Sequence, residues 1–77
     1  MATYRTGLER IRKELLKVSQ EAVAKRTSLT TRTYARAEDG KPVKYSSALT
    51  ILDAINALLA ERSESAVTLD DLTLTIE

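Results

Sequence analysis

The hydrophobic positions of this chain recur every three or four residues over two long stretches, which is the spacing of one face of an α-helix. The first stretch has five such positions, namely Leu8, Ile11, Leu15, Leu16 and Val18. We expect a helix there that begins just after Thr6 or Gly7. The second stretch has a broad apolar face formed by Leu49, Ile51, Leu52, Ile55, Leu58 and Leu59. It predicts a helix that is capped by Ser46 or Ser47 and runs to about Arg62.

Between these stretches, residues 19–40 contain two shorter helical segments joined by a brief turn. Ser19 is a good N-cap residue for a helix that runs to about Arg26. Thr30 caps a second helix, and Gly40 ends it. Four residues of this segment are expected to face a common core, namely Val23, Leu29, Tyr34 and Ala37, and Ala24 is small enough to let the second helix cross the first closely.

The opposite face of the second short helix carries a different set of side chains, namely Thr31, Arg32, Ala35 and Arg36. Arg32 and Arg36 stand four residues apart, so two like charges share one stripe, which costs an isolated helix about 0.2–0.5 kcal/mol. In an arbitrary small protein such arginines are ordinary surface charge. Beside short threonine and alanine side chains, they favour an anion in front of this face.

The net charge of +1 conceals a strong separation of charge along the chain. Residues 1–45 hold 11 basic and five acidic residues, which is a net charge of +6. Residues 46–77 hold one basic and six acidic residues, which is a net charge of −5. The basic part suits a polyanion, and the acidic C-terminal third leaves room for a protein partner.

Composition excludes several classes of chemistry. The chain has no Cys and no His, which removes zinc, haem and thiol chemistry and the usual general base near neutral pH. We expect no cofactor and no enzymatic activity, and we read the adjacent carboxylates Asp70 and Asp71 as charges at the start of a helix. No apolar run approaches 20 residues, so we expect one cytoplasmic domain spanning residues 1–77, with no membrane segment.

Residues 19–40 resemble the helix-turn-helix of the Xre/Cro family of phage and bacterial repressors. The resemblance is carried by Ser19-Gln20-Glu21, Ala24, Leu29-Thr30 and Arg36-Ala37-Glu38-Asp39-Gly40. A weaker similarity continues through residues 51–58 and 67–72. It implies an all-α fold, a compact four-to-five-helix repressor-like domain that allows a short C-terminal β-strand. It also implies that the second short helix enters the major groove of double-stranded DNA.

The resemblance assigns roles to individual residues. Those implied to face bases are Thr31, Arg32, Ala35 and Arg36, and those implied to contact phosphates are Gln20, Thr33, Lys41 and Lys44. An arginine in such a position holds guanine through O6 and N7. A basic residue of the first helix is expected to pair with Glu38. Arg12 is the first choice, and Lys13 is the rival because the chain has one residue more than the family pattern at this point.

Two residues depart from the family pattern. Ser28 stands where the family often has Gly, which would strain the backbone if that position needs a positive φ. Asp39 would lie near the sugar-phosphate backbone, where a carboxylate is unfavourable unless Arg36 or a neighbouring lysine neutralises it.

The two ends of the chain are expected to behave differently. Residues 1–6 form a loosely held arm, and residues 67–77 form a dimerisation or capping segment. Thr68 and Asp71 suit a capping box of a short helix. Apolar residues then alternate with polar ones from Leu72 to Ile76, which predicts a strand. A lone strand needs a partner, either the arm or the same strand of a second chain, and we favour a homodimer.

The favoured function is therefore sequence-specific binding of double-stranded DNA by a transcriptional regulator, most simply a repressor. The alternative is a protein-interaction module, or an antitoxin-like adaptor, that retains the fold with weak or no DNA binding. The carboxylate of Asp39 and the apolar C-terminal segment are the features that favour this alternative.

Overall fold

Five α-helices follow one another in the computed structural model, which describes residues 3–77. They are α1 (Gly7–Arg10), continued by a π-helical segment (Ile11–Leu16), α2 (Gln20–Ala24), α3 (Thr31–Glu38), α4 (Tyr45–Glu61) and α5 (Leu69–Leu72). The all-α architecture that the hydrophobic pattern predicts is confirmed. No helix within residues 3–77 has the length and the apolar character that crossing a bilayer requires.

Side-chain caps begin four of the five helices, and the cap residues are Thr6, Ser19, Thr30 and Thr68. In each case a hydroxyl oxygen accepts a hydrogen bond from a backbone N–H of the first turn, as local sequence predicts. Helix α4 is the exception, because it begins at Tyr45 after Lys44 and has no side-chain cap. The prediction that Ser46 or Ser47 caps it was wrong. The backbone is extended only as far as Lys44, so the serines already lie inside the helix.

The first long helix widens over Ile11–Leu16. The backbone N–H of Lys17 donates to the carbonyl of Arg12, five residues back, at 2.7 Å. This wide turn takes up one residue more than an α-helical turn. It brings Leu16 into the core and leaves Leu15 40% exposed, so the prediction that Leu15 lies on the core face was wrong.

The left-handed backbone conformation occurs at the end of this wide turn and not in the turn between α2 and α3. Lys17 has a φ of 55°, whereas Ser28 is not among the residues with positive φ. The strain anticipated at Ser28 is therefore absent there. Gly40 has a φ of 84° and ends α3, as predicted from the preference of helix ends for glycine in this conformation.

Every helix contributes to one core. Its fully or almost fully buried members include Leu8, Ile11, Leu16, Val23, Ala24, Tyr34, Ala37, Ile51, Ile55, Leu59 and Leu72. Tyr34 has no exposed surface, so it packs in the interior as predicted. Helix α2 ends at Ala24, two residues before the predicted end at Arg26, and the chain continues in turns.

The C-terminal segment pairs within the chain. The N–H of Val43 donates to the carbonyl of Thr75, and the N–H of Glu77 donates to the carbonyl of Val43, both at 2.9 Å. These bonds form an isolated parallel bridge between Val43 and Ile76. Sequence reasoning named the N-terminal arm or a second chain as the partner, and the partner within this chain is instead the loop after α3. The C-cap of α5, Thr73 at a φ of 48°, starts this extended stretch.

Two close contacts position the acidic C-terminal part. At Gly7 a side chain would overlap the carbonyl oxygen of Asp71, so α1 and α5 approach as closely as a glycine allows. In the loop before α5, the side chain of Asn56 binds both backbone groups of Val67. Its Oδ1 accepts from the N–H at 2.8 Å, and its Nδ2 donates to the carbonyl at 3.1 Å.

Candidate nucleic-acid interface

Helix α3 presents one face to the core and the other to solvent. Its inner side is formed by Tyr34, Ala37 and Glu38, all without exposed surface. Of the side chains predicted to face bases, Thr31, Arg32 and Arg36 are exposed, and Ala35 is half-buried. The predicted outer face is therefore open to solvent.

A buried ion pair fixes the inner side of α3. The guanidinium of Arg12 holds the carboxylate of Glu38 through two contacts, Nε to Oε2 and Nη2 to Oε1, the latter at 3.0 Å. Its Nη1 also donates to the carbonyl of Val18 at 2.8 Å. The predicted pair of Arg12 and Glu38 is confirmed. The rival, Lys13, instead lies 3.4 Å from the carboxylate of Glu9.

The ionisation of this cluster follows from its contacts. Burial disfavours the charged form of Glu38, but hydrogen bonds from Arg12 and Gln20 outweigh it and lower the pKa of Glu38. The hydrogen bond between Arg12 and Glu38 also raises the pKa of Arg12, because it outweighs the lowering caused by burial. Burial, reinforced by the carboxylate of Glu38, raises the pKa of Tyr34. The pair is therefore charged at neutral pH, and Tyr34 is neutral.

Gln20, a predicted phosphate contact, is bound to the same carboxylate. Its Nε2 donates to Oε1 of Glu38 at 3.0 Å. A glutamine amide carries two N–H donors, so one remains for a further acceptor. The phosphate contact stays a prediction, and the structure adds that Glu38 orients the amide.

The basic residues fall into two groups of six. Those with an acidic partner are Arg5, Arg10, Arg12, Lys13, Lys25 and Arg26. No ion pair within residues 3–77 involves the other six, which are Lys17, Arg32, Arg36, Lys41, Lys44 and Arg62. Four of these lie on α3 or in the loop that follows it. Cations that form no ion pair within residues 3–77 are thus concentrated on and beside α3.

The start of α4 lies next to α3 across a groove of about 330 Å³. Thr33 and Arg36 line it from α3, and Lys44 and Ser47 line it from the start of α4. The predicted phosphate contacts Thr33 and Lys44 are thus brought together. Glu77 also lines this groove, an acidic neighbour that sequence reasoning missed because it comes from the opposite end of the chain.

The carboxylate at the end of α3 is neutralised from an unexpected direction. Nη1 of Arg5 lies 2.8 Å from Oδ1 of Asp39, whereas the expected partners were Arg36 or a lysine. The segment before α1 is anchored by buried Thr6, whose hydroxyl donates to the carbonyl of Glu38 at 3.0 Å. The prediction of a loosely held arm is therefore wrong for residues 5 and 6, and residues 1 and 2 lie outside the described part.

Sequence reasoning missed Arg5 because its partner is 34 residues away and no local pattern links the two. Within residues 3–77, no group of three or more His, Cys, Asp or Glu side chains is arranged to hold a metal ion. Most of the exposed polar groups around α3 are instead cations, hydroxyls and an amide, which are donors suited to an anionic partner, and the carboxylates among them are Asp39 and Glu77. Comparison of the chain with protein-family models, with curated proteins and with solved structures finds no match.

Proposed function

We propose that this protein binds double-stranded DNA in a sequence-specific manner and regulates transcription, most simply as a repressor, as its resemblance to the Xre/Cro helix-turn-helix implies. The observation that carries the proposal is the contrast between the buried face and the exposed face of α3. Its inner side is locked by the buried pair of Arg12 and Glu38, while Arg32 and Arg36 are exposed and have no ion-pair partner within residues 3–77.

The dimensions of α3 support insertion into the major groove. An α-helix with its side chains is about 10–12 Å in diameter, and the major groove is about 12 Å wide, so the groove admits one helix such as α3. In this arrangement Arg32 or Arg36 donates to O6 and N7 of guanine. The methyl groups of Thr31 and Ala35 contact the methyl group of thymine.

Side chains that flank α3 suit the phosphate backbone. Lys41 and Lys44 are exposed cations in the loop that follows the helix, and Thr33 lies across the groove from Lys44. Gln20 keeps one N–H of its amide for a phosphate. Contacts of this kind set the register of the protein on DNA without reading sequence.

We also propose that the protein binds its site as a homodimer. Only one edge of the C-terminal segment is paired, and within residues 3–77 the backbone N–H and C=O groups of Leu74 and Ile76 make no hydrogen bond. Ile76 is 40% exposed, as is Leu49, and Tyr45 at the start of α4 is 52% exposed. An unpaired edge, together with exposed apolar side chains, suits a second copy of the chain.

The experiment that tests the proposal begins with selection of bound duplexes from a random pool. Affinities are then measured for the selected site and for random duplex, with wild type and with Arg36→Ala. We expect Arg36→Ala to weaken binding to the selected site by about 1–3 kcal/mol more than binding to random duplex.

Arg62→Ala is the matched control, because Arg62 is an exposed arginine just after α4, in the acidic part of the chain, and has no ion-pair partner within residues 3–77. It should leave the discrimination between the two duplexes unchanged. Equal losses on both duplexes for Arg36→Ala would make Arg36 a phosphate ligand. If the selected sites contain two half-sites about 34–36 Å apart, their spacing supports the homodimer.

The second candidate is a protein-interaction module or antitoxin-like adaptor. The observation in its favour is Glu77, which lines the same groove as Arg36 and Lys44, so that its negative charge would oppose a phosphate there. Absence of binding to any duplex at low salt would support this candidate over the first.

A further inference from the structure

We propose that Arg5 contacts the DNA backbone and that Asp39 holds it in place for this contact, an inference that rests on the proposed function. The segment before α1 then belongs to the DNA-binding surface. Asp39, unfavourable beside DNA on its own, serves to position a cation.

The register of α3 places Asp39 on its exposed stripe. Asp39 is three residues from Arg36 and four from Ala35, which are the separations of neighbours on one helical face. The contact of 2.8 Å between Nη1 of Arg5 and Oδ1 of Asp39 therefore carries the guanidinium to the end of this stripe. Arg5 continues the row of cations formed by Arg32 and Arg36.

The backbone around Arg5 is fixed independently of its side chain. The N–H of Arg5 donates to Oε1 of Glu9 at 2.9 Å. The next residue, Thr6, is buried and donates its hydroxyl to the carbonyl of Glu38 at 3.0 Å. These two bonds tie the segment to the start of α1 and the end of α3, so the side chain of Arg5 projects from an anchored position.

The two arginine–carboxylate pairs of α3 differ in how many guanidinium N–H donors remain free to bind a ligand. Three nitrogens of Arg12 donate hydrogen bonds to protein acceptors, and its side chain is 9% exposed. One side-chain nitrogen of Arg5 donates a hydrogen bond to Asp39, and the side chain is 67% exposed. A guanidinium has five N–H donors, so Arg5 neutralises Asp39 and retains donors for a phosphate. The first pair is structural, and the second suits an incoming anion.

The test measures affinity for random duplex against salt concentration for wild type, Arg5→Ala, Asp39→Asn and the double variant. Loss of one phosphate contact lowers the slope of log affinity against log salt by about 0.9. We expect Arg5→Ala to lower the slope by this amount and to weaken the selected site and random duplex by the same factor. Because Asp39 holds Arg5 in place, Asp39→Asn alone is expected to weaken binding to random duplex, and Arg5→Ala made on Asp39→Asn should lower the slope by less than it does in wild type.

Lys25→Ala is the matched control, because Lys25 also forms an exposed pair, with Glu21, and lines a different groove together with Leu58 and Glu61 of α4. It should leave the slope unchanged. Thermal melting of each variant checks that the fold is retained, and Arg5→Gln repeats the test with a side chain that keeps more of the packing.

Two results would overturn the inference. One is an Arg5→Ala variant with the wild-type slope and affinity. The other is an Asp39→Asn variant that binds random duplex at least as tightly as wild type, since Arg5 would then only screen the carboxylate. If wild type itself binds no duplex at low salt, the proposed function fails and this inference fails with it, which distinguishes that case from a failure of Arg5 alone.

Discussion

Glu38 is the residue on which the orientation of α3 depends most directly. Its carboxylate has no exposed surface and accepts hydrogen bonds from Arg12 and Gln20, which lie on two other segments of the chain. Removing one partner of a buried pair leaves the other charge without compensation, which costs about 3–5 kcal/mol. This single side chain thus ties together the first helix, α2 and α3.

We predict that Glu38→Gln lowers the free energy of unfolding at pH 7 by about 3 kcal/mol, measured by urea denaturation. Glu14→Gln is the control, since Glu14 pairs with Arg10 at 3.7 Å on the surface and 46% of its side chain is exposed. The control should lose at most about 0.5 kcal/mol. Equal losses for the two variants would show that the buried pair contributes no more than a surface pair.

The same residue predicts a dependence of stability on pH. The pKa of Glu38 in the folded protein lies below its ordinary value of 4.5, so the unfolded chain binds the proton more tightly. The stabilisation is therefore complete above pH 4.5 and is lost as the pH falls through the lower, folded-state pKa. Urea denaturation at a series of pH values should show a steeper loss below pH 4.5 for wild type than for Glu38→Gln.

Lys17 carries a backbone strain that glycine relieves. A φ of 55° is unfavourable for a residue with a Cβ, by about 1–2 kcal/mol, although glycine also makes the unfolded chain more flexible. We predict that Lys17→Gly raises the free energy of unfolding by about 1 kcal/mol. Lys25→Gly is the control, because Lys25 has a φ of −61° and glycine there should destabilise. A lower melting temperature for Lys17→Gly would contradict the prediction.

At the scale of elements, α1 approaches α5 closely, a contact that hydrophobic periodicity does not predict. Gly7 lies against the carbonyl of Asp71, and its N–H donates to Oγ1 of Thr73 at 2.6 Å. We predict that Gly7→Ala forces α5 away and lowers the free energy of unfolding by about 1–3 kcal/mol, the usual cost of overpacking. Ser65→Ala in the exposed loop is the control. An unchanged urea midpoint for Gly7→Ala would show that the helices separate at no cost.

The elements that sequence predicts correctly are those that depend on local chemistry. Ser19, Thr30 and the capping box of Thr68 bind backbone groups within three residues, so a short pattern contains all the information. The exposed position of Leu15 depends on the wide turn, which has no simple signature in the pattern. The regular spacing of α-helices therefore places Leu15 on the apolar face together with Leu16, although only Leu16 is buried.

The parts of the candidate site that could not be predicted are contacts between distant segments. Arg5 meets Asp39, and Val43 meets Ile76, across gaps of more than 30 residues. Such pairs are decided by how the helices pack, and hydrophobic periodicity does not report packing. The pair of Arg12 and Glu38 could be predicted only because the family resemblance indicated which two positions of the chain should meet.

At the scale of the whole molecule, the separation of charge is the main property. Residues 1–45 have a net charge of +6 and residues 46–77 a net charge of −5, and four of the six cations without an ion-pair partner in residues 3–77 lie on α3 or in the loop after it. A molecule of this kind should approach a polyanion with one orientation.

We predict that Lys41→Gln combined with Lys44→Gln lowers the slope of log affinity against log salt by about 1.8, measured on random duplex, since two phosphate contacts are lost. Arg62→Gln, which also removes a cation, should leave the slope unchanged. If the double variant and the control behave alike, net charge alone governs binding and the loop after α3 has no special role.

The wide turn in the first helix has a consequence for how this chain tolerates changes in length. An extra residue in a regular helix rotates everything beyond it by about 100° and would turn the interior side chains outward. Here the surplus is absorbed between Arg12 and Lys17, so the segments on either side keep their alignment. The wide turn can therefore lose a residue without disturbing the core. Deletion of Leu15 should convert it into a regular α-helical turn and leave the exposed arginines of α3 in place.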